Sequence, residues 1–422
     1  MGLASSVFFL ILIIFSIGYL GIIFEHYIKV NKSAIALTVA ALCWGIYFLG
    51  SSLSLQDDLM VFGHHVSDIS QIIFFLFGAM TLVEMVDSHK GFTIITDRIR
   101  TSSKRKLLWI MSFITFFLSA ILDNLTTTIL MISLLRKLIP NTKERILLCC
   151  IVVVMANAGG AWTPIGDVTT TMLWINGQIS SLAIMKALFL PSLISVLIPL
   201  AYFTLGFKGK CAKEEKKLKE ESEPGSTLVF ALGVGGLVFV PIFKALTGLP
   251  PFMGVLLALG VLWLVTDAIH HKDPSKEHLR VPSILSKIDT SSILFFLGIL
   301  LCVSALQTAG MLDQVAEWLS REVKSLPLIA TVLGLFSAVI DNVPLVAATM
   351  AMYPLSEFPM DHGFWHMIAY AAGTGGSLLI IGSSSGVAMM GLEKVDFFYY
   401  LRKMTFPVLV GYLVGMASYL VL

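Results

Sequence analysis

Runs of about twenty apolar residues follow one another almost without pause along this chain, and few architectures tolerate that. The hydrocarbon core of a bilayer takes roughly 20 helical residues to cross. Runs of that order lie near 3–24, 33–53, 69–87, 145–175, 182–206, 226–247, 251–270, 290–307, 363–391 and 402–422. In lipid a backbone must satisfy its own hydrogen bonds, so these runs read as helices. The expected fold class is an all-α polytopic membrane protein. Charged residues are only 13% of the 422, about half the roughly 25% of a soluble domain. The lipid bilayer is therefore the expected partner, and nucleic acid is not. The first run has no basic residue before it and no small-residue cleavage pattern, which predicts a retained span. Five cysteines show neither metal nor disulfide spacing; they read as small apolar residues, and no cofactor is expected.

Two further runs, 107–139 and 327–356, are too long for one upright helix. Each carries an Asp-Asn pair near its middle: Asp123-Asn124 and Asp341-Asn342. Halves of about 15 residues are short for a full crossing, so both runs predict re-entrant helical hairpins with Asp-Asn at the tip. The same landmarks recur in order. Phe74-Phe75-Leu76 returns as Phe295-Phe296-Leu297, an offset of 221; Asp123 returns as Asp341, an offset of 218; Gly159-Gly160 returns as Gly375-Gly376, an offset of 216. That regularity indicates an internal duplication. It divides the chain into a first copy (1–207), a charged linker (208–225) and a second copy (226–422). Each copy holds five spans, one of them broken (145–175 and 363–391), and a hairpin. Amphipathic stretches precede the hairpins: Gly91–Lys106, with Phe92, Ile95 and Ile99 on one face, and Met311–Val323, with Leu312, Val315, Leu319 and Val323. Both are expected in the membrane interface.

Five crossings per copy is an odd number, so the second copy must be inverted relative to the first. The charges agree. With hairpins returning to their own side, one face collects 25 of the 29 Lys and Arg residues, leaving Lys186, Lys244, Arg321 and Lys324 opposite. By the positive-inside rule the basic face is cytoplasmic, which puts the linker inside and both termini outside.

Acids inside a membrane are expensive and mark function by default. Inverted repeats, broken helices and mid-membrane polar groups together are the signature of a secondary transporter. The first broken span reads Asn157-Ala158-Gly159-Gly160-Ala161-Trp162-Thr163-Pro164-Ile165-Gly166-Asp167-Val168-Thr169-Thr170-Thr171. Its glycines and proline free backbone carbonyls, while Asn157, Asp167, Thr169 and Thr170 add side-chain oxygens. The second offers Gly373-Thr374-Gly375-Gly376 and then Ser383, Ser384 and Ser385. Oxygen ligands without thiolate or imidazole suit a hard cation. Asp123, Asp167, Asp341 and Glu84 are acidic, and no Lys or Arg is predicted at the midplane to pair with an anion. A desolvated carboxylate holds a proton or a cation in turn, which is enough for exchange. The nine histidines are expected in loops or at span ends, outside the proton path.

The pattern Asp-Asn-x-Thr-Thr, then Ala-Asn-Ala-Gly-Gly-x-Trp-Thr-Pro-Ile-Gly-Asp-Val-Thr-Thr, then Asp-Asn-Val-Pro, resembles bacterial sodium/proton antiporters of the NhaD type over nearly the whole chain. The resemblance implies sodium or lithium efflux driven by inward protons, in the bacterial inner membrane. It further implies a homodimer in which a hairpin-bearing part moves against a scaffold. Carried over by motif, Asp123, Asn124, Thr126 and Thr127 form the first tip; Asn157, Asp167, Thr169 and Thr170 the first broken span; Asp341 and Asn342 the second tip; Ser383, Ser384 and Ser385 the second broken span. Sodium is assigned to Asp123, Asn124 and Asp167. The same superfamily contains dicarboxylate symporters and arsenite permeases, the alternative reading, but their dicarboxylate members typically carry Ser where this chain carries Asp at both tips. An intramembrane aspartyl protease using Asp123 and Asp167 leaves the second Asp-Asn pair unexplained. The richer first tip is expected to be the principal cation site, with Asp341 tuning or completing it.

Overall fold

The computed structural model describes residues 5–96, 101, 103–139, 141–206, 209, 223, 225–271 and 273–422. Most of the linker, with Cys211, and the middle of the first amphipathic stretch lie outside these residues. The described chain is helical, with no extended strand. It opens with α1 (Ser5–Ile23), α2 (Glu25–Ile28), α3 (Lys32–Gly50), α4 (Leu55–Ser88) and α5 (Thr93–Thr96). The first hairpin is α6 (Lys104–Leu122) and α7 (Asn124–Leu138). The first broken span is α8 (Thr142–Gly160) and α9 (Val168–Ile175), followed by α10 (Ser181–Gly206). The second half begins with α11 (Ser226–Thr247), α12 (Pro251–His270), α13 (Val281–Leu285) and α14 (Thr290–Thr308). Then come α15 (Met311–Glu322), the second hairpin α16 (Leu326–Phe336) and α17 (Asn342–Met352), and the second broken span α18 (Gly363–Gly375) and α19 (Ser384–Glu393). α20 (Phe397–Lys403) and α21 (Thr405–Val421) close the chain. Among the described residues eight helices are long and apolar enough to cross a membrane, or nine if α20 and α21, bent by 55°, count as one. This is a multi-pass membrane protein.

The hairpins are set by contacts at their ends. Ser119, near the end of α6, donates to the Ala156 carbonyl of α8 at 2.6 Å, so the two helices finish level. α7 then returns, and Arg145 at the start of α8 donates to the Ile139 carbonyl at 2.8 Å. In the second half Ser337 donates to the Ala372 carbonyl at 3.0 Å, and the Tyr353 and Phe364 rings pack at 4.8 Å where α17 meets the start of α18. The two broken spans run in opposite directions. Arg145, at the start of α8, bonds Glu393 at the end of α19 at 3.0 Å. Asp361, just before α18, is bonded to the Gln178 carbonyl and Ser180 N–H just after α9.

The glycines of the breaks are there for close backbone approach. A Cβ at Gly159 would lie 2.3 Å from the Phe116 carbonyl oxygen, and one at Gly375 would lie 2.1 Å from that of Gly334. Helix pairing follows the same correspondence: α1 packs on α3 as α11 packs on α12, and α3 packs on α14 as α12 packs on α4.

Three expectations need correcting. The span placed at 69–87 is part of a 34-residue helix, about 51 Å long at 1.5 Å per residue. Its polar start, capped by Ser54 on the Asp57 N–H, puts His64, His65 and Asp68 on an open cavity of about 430 Å³; the two histidines thus sit in the helix just before that span. The α6 half of the first hairpin has 19 residues and is itself long enough to cross; it stops because the chain turns at Asp123. In α15, Met311, Leu312 and Ala316 are buried while Val315 and Trp318 are exposed, so Val315 faces away from the packed side.

Candidate cation and proton site

Four half-helices begin at the centre of the molecule, and each begins on a polar cap. Asp123 caps α7 on the Thr126 N–H, Asp167 caps α9 on the Thr169 N–H, Asp341 caps α17 on the Val343 N–H, and Ser383 caps α19 on the Gly386 N–H. Such caps satisfy the free N–H groups of a first helical turn, and the acids also offset its partial positive charge. Asp167 and Ser383, 216 residues apart, have nearly the same backbone: φ −144°, ψ 147° and φ −145°, ψ 153°.

Asp167 is the hub. Its Oδ1 accepts from the Thr169 N–H at 2.9 Å and hydroxyl at 2.8 Å. Its Oδ2 accepts from Asn124 Nδ2 at 2.5 Å, and Asn342 Nδ2 lies 3.4 Å from both oxygens. The amides of both hairpin tips thus converge on one carboxylate. Asn124 donates also to Asn157 Oδ1 at 3.1 Å. Asn157 in turn donates to Ser377 at 2.9 Å and Ser383 at 2.8 Å, joining the two broken spans. All of these side chains are buried.

Asp123 stands beside this cluster. It accepts from the Thr126 N–H at 2.8 Å and hydroxyl at 2.7 Å, and lines a cavity with Asn124, Thr126, Ser384, Phe75 and Phe296. Its backbone, φ 98° and ψ 157°, lies in a region essentially reserved for glycine. Asp341 at the equivalent tip has an ordinary φ of −47°. Its carboxylate does not join the cluster: Oδ2 sits 3.6 Å from Lys32 Nζ. The long Lys32 side chain reaches from the start of α3 to the second hairpin, a pairing that the sequence does not announce.

Glu84 is not brought in; it accepts from Ser88 at 3.1 Å, one turn on in α4. Thr170 donates to the Asp167 carbonyl and Thr171 to that of Pro164, both bracing the break. Thr127, Thr128 and Ser385 carry buried hydroxyls with no hydrogen-bond partner among the described residues, on α7 and α19, which pack together. Sequence reasoning missed Ser377, whose place directly after Gly375-Gly376 was the available signal, and Lys32, for which there was none.

Comparison with known proteins gives the family. The family described as citrate transporter (CitMHS) matches residues 10–365. "Sodium/proton antiporter 1" of Arabidopsis thaliana is 54% identical over 97% of this chain and 71% of its own length. "Sodium/proton antiporter 2" of the same plant is 50% identical over 97% and 98%. The "Na(+)/H(+) antiporter NhaD" of Alkalimonas amylolytica is 32% identical over 99% and 91%. With the family match spanning most of the helical body and likeness to these antiporters end to end, the chain belongs to the CitMHS family and, within it, to the NhaD-type sodium/proton antiporters.

Proposed function

We infer that the chain is a secondary transporter exchanging cytoplasmic sodium or lithium for external protons, with the cluster around Asp167 as the cation and proton site. Relatives at 54, 50 and 32% identity are named sodium/proton antiporters; the chain is a transporter and not an enzyme. The observation that carries the site assignment is the convergence of Asn124 and Asn342 on the buried Asp167 carboxylate. Turning either amide over replaces its N–H donors by a carbonyl oxygen facing Asp167, so the same side chains can serve a bound cation or a protonated acid. A buried charge without a partner is costly, so the carboxylate holds one or the other, and that exclusivity couples the two fluxes. Asp123, with Thr126, Thr127 and Ser384, is read as the adjoining ligand group. The anion-permease reading is not favoured: an acid is the hub, and the Lys32 ammonium is already paired with Asp341.

The same reading takes 1–207 and 226–422 as inverted repeats joined by 208–225. The oppositely directed broken spans and the matched Ser119–Ala156 and Ser337–Ala372 bonds support it. α1, α3, α4, α11, α12 and α14 are read as a scaffold along which the hairpin-bearing half moves in a homodimer. The basic face is read as cytoplasmic and both termini as opposite. The NhaD resemblance implies a bacterial inner membrane; the 32% relative is from Alkalimonas amylolytica, whereas the 54% and 50% relatives are from a plant.

Inside-out vesicles carrying an imposed pH gradient test the function. Sodium or lithium should dissipate the gradient, and Asp167→Asn should abolish the response. Cation-independent vesicles that instead accumulate dicarboxylate or arsenite would make the reading wrong.

A further inference from the structure

We propose that Lys32 is a resident counter-ion that competes with the transported cation for Asp341, and so latches the second hairpin to the helices it packs against. This rests on the exchange reading above. The ammonium is held on a fixed frame. Asn31 caps the Ser33 N–H at 2.8 Å, the Lys32 N–H donates to Glu25 Oε2 at 3.1 Å, and the Ser33 hydroxyl donates to the Ser291 carbonyl of α14 at 2.7 Å. Lys32 Nζ then lies 4.3 Å over the Phe295 ring, also on α14, and 3.6 Å from Asp341 Oδ2. Asp341 belongs to the other body, the tip of α16 and α17.

Three features make this pair exchangeable. A strong ammonium–carboxylate hydrogen bond is about 2.7–2.9 Å, and this contact is longer. The side chains are 20% and 14% exposed, so water and a small cation can reach them. Lys32 is also the first residue of α3, where the helix's partial positive charge disfavours a cation; the Asp341 carboxylate and the Phe295 face offset that. When sodium at the Asp167 cluster, which the neighbouring Asn342 joins, also draws the Asp341 carboxylate, one positive charge replaces another at Asp341. The lysine stem can swing its ammonium to the wet basic face, as long cationic side chains do. The hairpin is then freed from α3 and α14, and an empty carrier stays latched.

A latch of this kind lowers apparent cation affinity by the fraction of time it is closed. If it is closed about nine-tenths of the time, Lys32→Gln lowers the sodium KM roughly tenfold in the vesicle assay. Lys32→Arg keeps the wild-type KM because it keeps the charge. Phe295→Leu leaves both charges but removes the aromatic face, and lowers KM by about twofold to fivefold; it carries the test if Lys32→Gln does not accumulate. An unchanged or raised KM in Lys32→Gln and Phe295→Leu, whatever happens to the maximal rate, overturns the latch and leaves the pair a structural contact. Wild-type vesicles without sodium-dependent proton movement would instead overturn the exchange reading on which it rests.

Discussion

At the scale of single residues the two Asp-Asn tips differ in geometry. Both pairs stand out in the sequence as acids in apolar runs, and both tips turn where the acids stand. The sequence carries the first tip's extra threonines, but not the difference in backbone and in partner. Asp123 holds a backbone conformation costing about 1–3 kcal/mol for a non-glycine residue, while Asp341 is unstrained and faces Lys32. Backbone strain has no composition signature, and the Lys32 contact joins residues from opposite halves of the chain. Asp123→Gly should therefore raise the thermal unfolding midpoint in detergent, since glycine is a tolerable N-cap at a loss of only a few tenths of a kcal/mol, while exchange is lost. Asn157→Ala takes the amide donor from the Ser377 hydroxyl and leaves Ser383 with only the Gly386 N–H. It should cost about 1–3 kcal/mol, read as a lower midpoint, with weakened sodium response.

At the scale of elements, the breaks depend on backbone packed against backbone. The Gly-Gly pairs were legible as paired helix openings; what they touch was not, because the close approach of Gly159 to Phe116 lies across two helices. Gly159→Ala and Gly375→Ala force a Cβ against a carbonyl oxygen and should each destabilise by about 1–3 kcal/mol. Gly63→Ala, with open space around its Cβ, should be neutral or slightly stabilising. Equal melting of all three variants would remove the packing account. The polar start of α4 breaks the apolar run, so hydropathy alone does not show it as part of the helix; its His64, His65 and Asp68 line an open cavity.

At the scale of the whole molecule, the charge asymmetry predicts that single cysteines placed at Lys394 and Lys287 react with impermeant thiol reagents from the cytoplasmic side only. One placed at Lys324 should react only from the opposite side. Beyond the end of α4, His89 is buried with its Nε2 3.1 Å from that of His270, and burial holds its imidazole below its usual range. Its stabilising contribution is therefore full above the ordinary histidine pKa of about 6.5 and falls as pH drops through and below it. The unfolding midpoint should decline from pH 7 to 5, and decline less in His89→Gln.

The central claim is that one buried carboxylate, Asp167, holds a proton or a sodium ion in turn. Adding sodium chloride to purified protein in a weakly buffered solution tests it most directly. The account predicts acidification that saturates with sodium, is absent with choline chloride, and is lost in Asp167→Asn. Sodium binding without proton release, or release undiminished in Asp167→Asn, would contradict it.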